Sequence, residues 1–320
     1  MTEVFTPPLY LRSAFAQTLL ASRIRTRGHN PMLAAAREVI LNPVADIRLQ
    51  GFYSPQTNGV GKGMAVLLHG WEGSVNSSYM LRTGRFLYQH GFAVFRLNYR
   101  DHGETHHLNR GLFYAIRLDE VFGAVQQIAK DAGELPVYLA GFSMGGNFAL
   151  RIARKHSETP LRNLKHILSI SPVLDPEKST HAIDAYPLLR KYFREKWSRS
   201  LLKKQALYPE LYNFADVFKL ETISEMTEVM VKRYSVYQSS AEYFRGYAVR
   251  GDALANLTVP VTIVTAQDDP IIPPEDFYDL KLPASSELII HRYGGHNAFL
   301  ESLSGRAWYQ QKMLDTWLKH

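Results

Sequence analysis

The sequence predicts an α/β protein: a mostly parallel sheet flanked by helices and interrupted by one inserted helical segment. Three observations predict it. Continuous apolar runs of strand length, of which Met64–Leu68 is the clearest, belong to strands buried on both faces. Through the first half of the chain such runs alternate with helical patterns in βαβ rhythm. The rhythm then breaks over residues 175–256 and resumes beyond them.

After an irregular start, residues 38–41 and 47–53 read as two strands separated by Asn42-Pro43, with Ser54-Pro55 closing the second, and a hairpin at one sheet edge fits them. A Gly-rich stretch over 58–63 leads into the apolar run at 64–68. Residues 79–90 read as helix, 92–97 as strand, 118–130 as helix, 137–140 as strand, 144–155 as helix and 166–170 as strand. The segment 175–256 is rich in Tyr, Phe and charged residues, with helical stretches around 188–207 and 223–233, and reads as an inserted helical cap. Strand-helix alternation returns with 261–265, 275–280, 287–291 and a closing helix over 306–319. There is no internal repeat and no low-complexity segment, so a single domain over 1–320 with the insertion accounts for the length.

Composition narrows the chemistry. The chain has no cysteine, which excludes disulfides, thiolate metal sites and a cysteine nucleophile. The 37 Lys and Arg against 30 Asp and Glu give a net charge of +7, and part of that excess is local. Arg190, Lys191, Arg194, Lys196, Arg199, Lys203 and Lys204 are opposed there only by Glu195. Such a run reads first as a solvated helix face, and alternatively as a contact for an anionic membrane surface or an acyl phosphate. No zinc-finger, basic-zipper or RNA-recognition signature accompanies it, so nucleic acid is not an expected partner. Residues 1–10 lack the basic start and apolar core of a signal peptide. The apolar runs fall far short of the roughly 20 residues a membrane-spanning helix needs, so the expected location is the cytoplasm. Nothing in the sequence sets an oligomeric state.

The chemistry starts at Gly141-Phe142-Ser143-Met144-Gly145, directly between a predicted strand and a predicted helix. Three fixed positions match by chance too often to stand alone, but the strand-turn-helix context is that of the nucleophile elbow of the α/β-hydrolase fold. Side chains at Gly141 and Gly145 would collide with the adjoining strand and helix. A serine hydroxyl needs an imidazole to take its proton and a carboxylate to fix that imidazole's tautomer. In this fold they follow in the order serine, acid, histidine, on loops after late strands. The strand at 261–265 leads into Gln267-Asp268-Asp269-Pro270. Asp269 fits the register of an acid followed by an apolar pair and a proline at Ile271, Ile272 and Pro273; Asp268 is the competing candidate. His296, in Tyr293-Gly294-Gly295-His296-Asn297, combines the right chain order, a loop after a strand and flanking glycines, and is the candidate general base. His291, inside the preceding strand, reads as structural.

The turn His69-Gly70-Trp71-Glu72-Gly73 ends an early buried strand, where this fold contributes one backbone N–H to an oxyanion. The Trp71 amide is the expected first donor and the Met144 amide the second. His69 is expected to hydrogen-bond within that turn. The loop Asp101-His102-Gly103-Glu104-Thr105-His106-His107 holds enough N and O atoms to raise the question of a metal. No second ligand group with diagnostic spacing accompanies it, so no metal and no cofactor is expected. Cap aromatics including Tyr192, Phe193, Trp197, Tyr208, Tyr212, Phe214 and Phe218 are candidates for an acyl pocket or for plain core.

Together these residues resemble the bacterial YheT-like hydrolases, relatives of eukaryotic abhydrolases and yeast medium-chain ethyl-ester synthases. The resemblance extends over most of the chain. It is carried by His69-Gly70-Trp71-Glu72-Gly73, the elbow with Asn147 after its glycines, Ser171-Pro172-Val173-Leu174-Asp175, Met226-Thr227-Glu228, Asp268-Asp269-Pro270 and Gly294-Gly295-His296. It implies an α/β-hydrolase fold with a helical cap, no cofactor, a triad at Ser143, Asp269 and His296, and small-molecule substrates that are short or medium acyl esters, with transfer of the acyl group to an alcohol as the alternative outcome. The chain departs from the family after the strand at 92–97, where an Arg-Gly-Cys type turn is replaced by Asn98-Tyr99-Arg100-Asp101-His102-Gly103.

Overall fold

The computed structural model describes residues 4–24, 28–57, 59 and 61–319; Met1, Thr2 and Glu3 of the amino terminus and Asn58 and Val60 of the Gly-rich stretch lie outside them. The strands are β1 (Arg37–Leu41), β2 (Leu49–Ser54), β3 (Met64–Leu68), β4 (Ala93–Leu97), β5 (Val137–Phe142), β6 (Leu164–Ile170), β7 (Val261–Ala266) and β8 (Glu287–His291). They form one sheet in the order β1-β2-β4-β3-β5-β6-β7-β8. The β1–β2 hairpin lies at one edge and β2 runs antiparallel to β4. From β4 to β8 every pairing is parallel.

The helices are α1 (Ala14–Arg23), α2 (Pro31–Ala34), α3 (Ser78–Gln89), α4 (Leu118–Asp131), α5 (Met144–Glu158), α6 (Pro176–Ala185), α7 (Pro187–Leu207), α8 (Ile223–Tyr234), α9 (Ser240–Arg245) and α10 (Trp308–Trp317). Side chains alternate across the strands, so each strand feeds two cores. Ala65 and Leu67 pack with Met80 and Leu87 of α3 and Trp308 and Trp317 of α10. Val66 and Leu68 pack on the other face with α4 and α5, through Val125, Ile128, Phe148 and Ile152. Being covered on both faces explains why β3, β4, β5 and β7 are buried along their full length and why β3 and β5 read as near-continuous apolar runs.

The chain leaves β3 for β4 on one side and returns to β5 on the other, so the order reverses at β3. In open α/β sheets the crevice at the carboxyl ends of such strands is where ligands bind. The turn at 69–73 and the elbow at 141–145 both start there.

Three parts of the sequence reading need correction. The irregular start contains helices. Ser13 caps α1 by accepting from Ala16 N–H, and Asn30 caps α2, which has Pro31 at its first position. The stretch 275–280 is only a 3-10 turn over Pro274–Phe277, because the Lys281 amide is taken by the Gly251 carbonyl and Pro283 follows two residues later. The basic run on α7 is not a plain solvated face. Lys204 is buried against Asp101 at 2.8 Å, Arg194 donates to the Leu220 and Phe218 carbonyls, Lys203 pairs with Glu104, and Lys196 donates to the Glu72 carbonyl. Much of the positive charge therefore ties the insertion to itself and to the sheet domain.

Candidate active site

Ser143 sits between β5 and α5 with φ 55° and ψ −117°, a left-handed conformation that costs on the order of 1–3 kcal/mol and persists only where its surroundings enforce it. The glycines show what enforces it. A Cβ on Gly141 would lie 2.1 Å from the Gly145 carbonyl oxygen, and one on Gly145 would lie 2.4 Å from the Leu68 carbonyl oxygen. Both obstacles are backbone. A Cβ on Gly146 would come within 2.8 Å of Ser169 Oγ, whose hydroxyl donates to the Gly146 carbonyl. The tight turn lifts Ser143 to the carboxyl edge of the sheet, beside Gly70, where an added Cβ would be 3.2 Å from Ser143 Cβ.

His296 follows β8. Its Nδ1–H donates to Asp269 at 2.9 Å (Oδ2) and 3.2 Å (Oδ1), and the Asp269 side chain is fully buried. Asp269 Oδ1 also accepts from the Ile271 and Ile272 amides at 2.8 and 3.0 Å. A carboxylate only accepts, so the proton stays on Nδ1 and leaves Nε2 as the basic nitrogen. Asp268 makes a different contact: its Oδ1 accepts from the Gly295 amide at 2.9 Å. It holds the backbone of the histidine loop, while Asp269 touches the imidazole. No hydrogen bond joins Ser143 to His296 among the described residues, although both line one cavity.

The turn after β3 is fixed from several directions. Gly73 N–H closes it on the Gly70 carbonyl at 3.0 Å, the His69 Nδ1–H donates to that same carbonyl at 2.8 Å, and Gly70 N–H donates to Tyr79 Oη at 2.8 Å. His69 thus hydrogen-bonds within the turn, and burial holds its pKa well below the usual imidazole range, so it is neutral. Across a trans peptide the N–H points opposite to the C=O, so the Gly70 carbonyl turned into the turn aims the Trp71 amide out of it. Met144 is the first residue of α5, where amides have no partner within the helix.

Ser143, His296, Trp71 and Met144 all line a cavity of about 940 Å³ between the sheet domain and the inserted helices. Asp269 stands behind His296. Its other walls are largely apolar, including Phe15 of α1, Leu112 and Phe113, and Ile183, Leu189 and Met230 of the insertion. Of the cap aromatics named from sequence, Tyr192, Phe193 and Trp197 line it. Tyr212, Phe214 and Phe218 do not; with Tyr234 they form an aromatic cluster within the insertion. Tyr208 donates to the His107 carbonyl instead.

With that geometry in view, residues 61–302 match the family described as serine aminopeptidase, S33. The chain belongs to this hydrolase family. It is similar to the putative esterase YheT of Escherichia coli, 23% identical over 80% of this chain and 76% of that one. It is also similar to a monoacylglycerol lipase of Saccharomyces cerevisiae, 21% identical over 83% of this chain and 62% of that one. Among solved structures it resembles the Pyrococcus furiosus esterase Pf2001, with a TM-score of 0.57 at 14% identity, over 93% of this chain and 97% of that one. The YheT-like resemblance and the α/β-hydrolase fold expected from sequence both stand.

Several parts of this hydrolase site escape sequence reasoning. Thr18 of α1 accepts from the His296 amide at 2.9 Å while its hydroxyl donates to the Ala14 carbonyl, so a helix near the start of the chain props the histidine loop. The signal was the Ser13 cap before an alanine- and leucine-rich run. Asn147 Nδ2 donates to the Val173 and Tyr247 carbonyls and ties the elbow helix to both ends of the insertion. The Asp101–His107 loop anchors the insertion. Asp101 Oδ1 pairs with Lys204, its Oδ2 accepts from Phe113 N–H, and Ser200 donates to the Asp101 carbonyl and accepts from His106 Nε2–H. Burial raises Asp101 to about 6 despite its lysine partner, and lowers His102 and His106 to about 4.

Proposed function

We propose that this hydrolase is a serine carboxylesterase acting on short- or medium-chain acyl esters through an acyl-enzyme. Ser143 Oγ attacks the ester carbonyl as His296 Nε2 takes its proton. The imidazolium is stabilised by Asp269, and the tetrahedral oxyanion accepts hydrogen bonds from the Trp71 and Met144 amides. His296 then returns the proton to the leaving alcohol. Water, deprotonated by the same nitrogen, attacks the acyl group and restores Ser143.

The observation that carries this reading is the Asp269–His296 pair opening onto the same apolar cavity as a serine in a strained strand-to-helix turn. The transfer from hydroxyl to imidazole is the step that the proposal itself supplies. The esterase and lipase names of the relatives agree with the acyl-ester class, and a cavity of about 940 Å³ accommodates an acyl chain.

The test is hydrolysis of p-nitrophenyl acetate, butyrate and octanoate by the wild-type protein and by Ser143→Ala. Turnover by wild type and its loss in the variant support the reading; equal rates for the two proteins overturn it. A fluorophosphonate that fails to label Ser143 would point to a binding protein on the same fold. Product ratios with added ethanol report whether an alcohol competes with water for the acyl-enzyme.

A further inference from the structure

The oxyanion turn meets one face of α7 in the insertion. Trp71 stacks on Phe193 with ring centroids 5.5 Å apart and planes 9° apart, and meets Trp197 edge-on at 5.3 Å. Between those two rings, Lys196 Nζ donates to the Glu72 carbonyl at 2.9 Å. Residues 193, 196 and 197 share one helix face, so the three contacts form one unit.

The backbone at Glu72 needs such support. Gly73 N–H to Gly70 O closes a four-residue turn whose third residue, Glu72, has φ 53°, a position where a turn ordinarily takes glycine. The hydrogen bonds there run in one direction. Lys196 Nζ donates to the carbonyl of the 72–73 peptide, the N–H of that peptide donates to the carbonyl of the 70–71 peptide, and the N–H of that second peptide is the Trp71 amide. Each trans peptide passes the orientation on, and a cation at the head of such a series polarises every donor after it. Among the described residues, Lys196 forms no ion pair. Burial pushes the nearby Glu72 carboxyl up to about 8, against the pull of Lys196.

We propose that Lys196 is a positioning residue for the oxyanion site, holding the Gly70–Gly73 turn and polarising the Trp71 amide through two intervening peptides. The proposal rests on the reading of Trp71 N–H as an oxyanion donor. It assigns the inserted helix a part in transition-state stabilisation as well as in forming the cavity wall.

The test compares Lys196→Met, which keeps the length of the side chain but removes donor and charge, with Lys196→Arg, which keeps both. Each is assayed on a matched pair of substrates, a p-nitrophenyl ester and its thionoester, whose sulfur accepts hydrogen bonds poorly. Complete loss of an oxyanion donor lowers kcat by about 10²–10³, so an indirect weakening is expected to cost about tenfold to fiftyfold. Lys196→Met should show that loss in kcat on the oxoester with little change in KM. It should stay within about threefold of wild type on the thionoester, and Lys196→Arg should recover most of the oxoester rate. Equal losses on both esters, or a change confined to KM, would overturn the proposal, because a damaged pocket affects both substrates alike. Should Lys196→Met fail to fold, an unimpaired oxoester kcat in Lys196→Gln, which lacks the charge, would overturn the polarising role by itself. Failure of the esterase reading is separately visible, as wild-type protein that hydrolyses neither substrate.

Discussion

Replacing Asp269 by Asn separates two adjacent carboxylates by their different contacts. Asp269 Oδ1 is held by the Ile271 and Ile272 amides, which only donate. An asparagine there must keep its carbonyl oxygen toward those amides and turn its NH₂ toward His296 Nδ1. A donor facing Nδ1 forces the imidazole proton onto Nε2, the nitrogen that has to accept the Ser143 proton, and the imidazolium also loses its countercharge. The equivalent change in a Ser-His-Asp triad lowers kcat by roughly 10⁴, about 5 kcal/mol of transition-state stabilisation. Stability should change little, because the two amide contacts survive. Asp268→Asn keeps its acceptor for the Gly295 amide, so its loss should stay within about tenfold. Initial rates on p-nitrophenyl butyrate at saturating substrate, with thermal melts of both variants, make the comparison. A dead Asp268→Asn beside an active Asp269→Asn would refute the assignment, and comparable activity in both would refute the tautomer argument.

The remaining predictions concern backbone, charge and pH. Gly145→Ala places a Cβ against the Leu68 and His69 carbonyls at 2.4 and 2.6 Å and should cost about 2–4 kcal/mol in urea denaturation, together with most of the activity. Gly251→Ala, where φ is positive but nothing lies within 4 Å, should cost only about 1 kcal/mol, and equal losses in the two would discredit the steric account. Lys204→Met leaves the Asp101 charge buried without its partner and should destabilise by about 3–5 kcal/mol; adding Asp101→Asn should restore part of that, and an additive double variant would argue against coupling. Burial, with a smaller contribution from Lys312, lowers His291 to about 4. A histidine depressed in the folded state contributes stability above the unfolded pKa near 6.5 and loses it as pH falls from there toward 4. Between pH 7 and pH 5 that loss is about 2 kcal/mol for this one group, so His291→Asn should shrink the pH dependence of the unfolding free energy from urea titrations by that amount, and an unchanged dependence would sink the reasoning. Along a p-nitrophenyl ester series, kcat/KM should rise by up to about fourfold per added methylene until the cavity is filled, since each buried CH₂ contributes about 0.8 kcal/mol; a flat series would argue against an apolar acyl pocket.

The sheet was legible because β3, β5 and β7 are buried on both faces and leave apolar or β-branched runs, and because Gly141 and Gly145 are where only glycine fits. The candidates for serine, acid and histidine could be picked out because each follows a stretch that reads as strand. Contacts between distant segments were not. The register ahead of Ile271, Ile272 and Pro273 favours Asp269, but it does not show that Asp268 meets the Gly295 amide, since that depends on where the loop after β8 comes to rest. The basic run on α7 carries the charge pattern of a solvated face. Only the fold reveals that Lys204 reaches a buried aspartate contributed by the loop after β4. The cap aromatics share one composition but divide by place in the fold, with Phe193 and Trp197 of α7 lining the cavity and Phe214 and Phe218, beyond α7, packed within the insertion.

The support that α1 gives the histidine loop bears on how the protein folds. Thr18 and His296 are separated by 278 positions, Gln17 and Leu300 by 283, and Phe5 and His291 by 286, yet each pair is joined by a hydrogen bond. Contacts of such span close very long loops, and they are made only after intervening segments have condensed. During synthesis, α1 leaves the ribosome well before its partner loop, which follows 278 positions later. A chain that has already built its sheet from β1 to β7 would still lack the imidazole. Recovery of ester hydrolysis after dilution from denaturant should therefore lag behind recovery of helical circular dichroism, making activity a clock for the final docking event rather than for collapse.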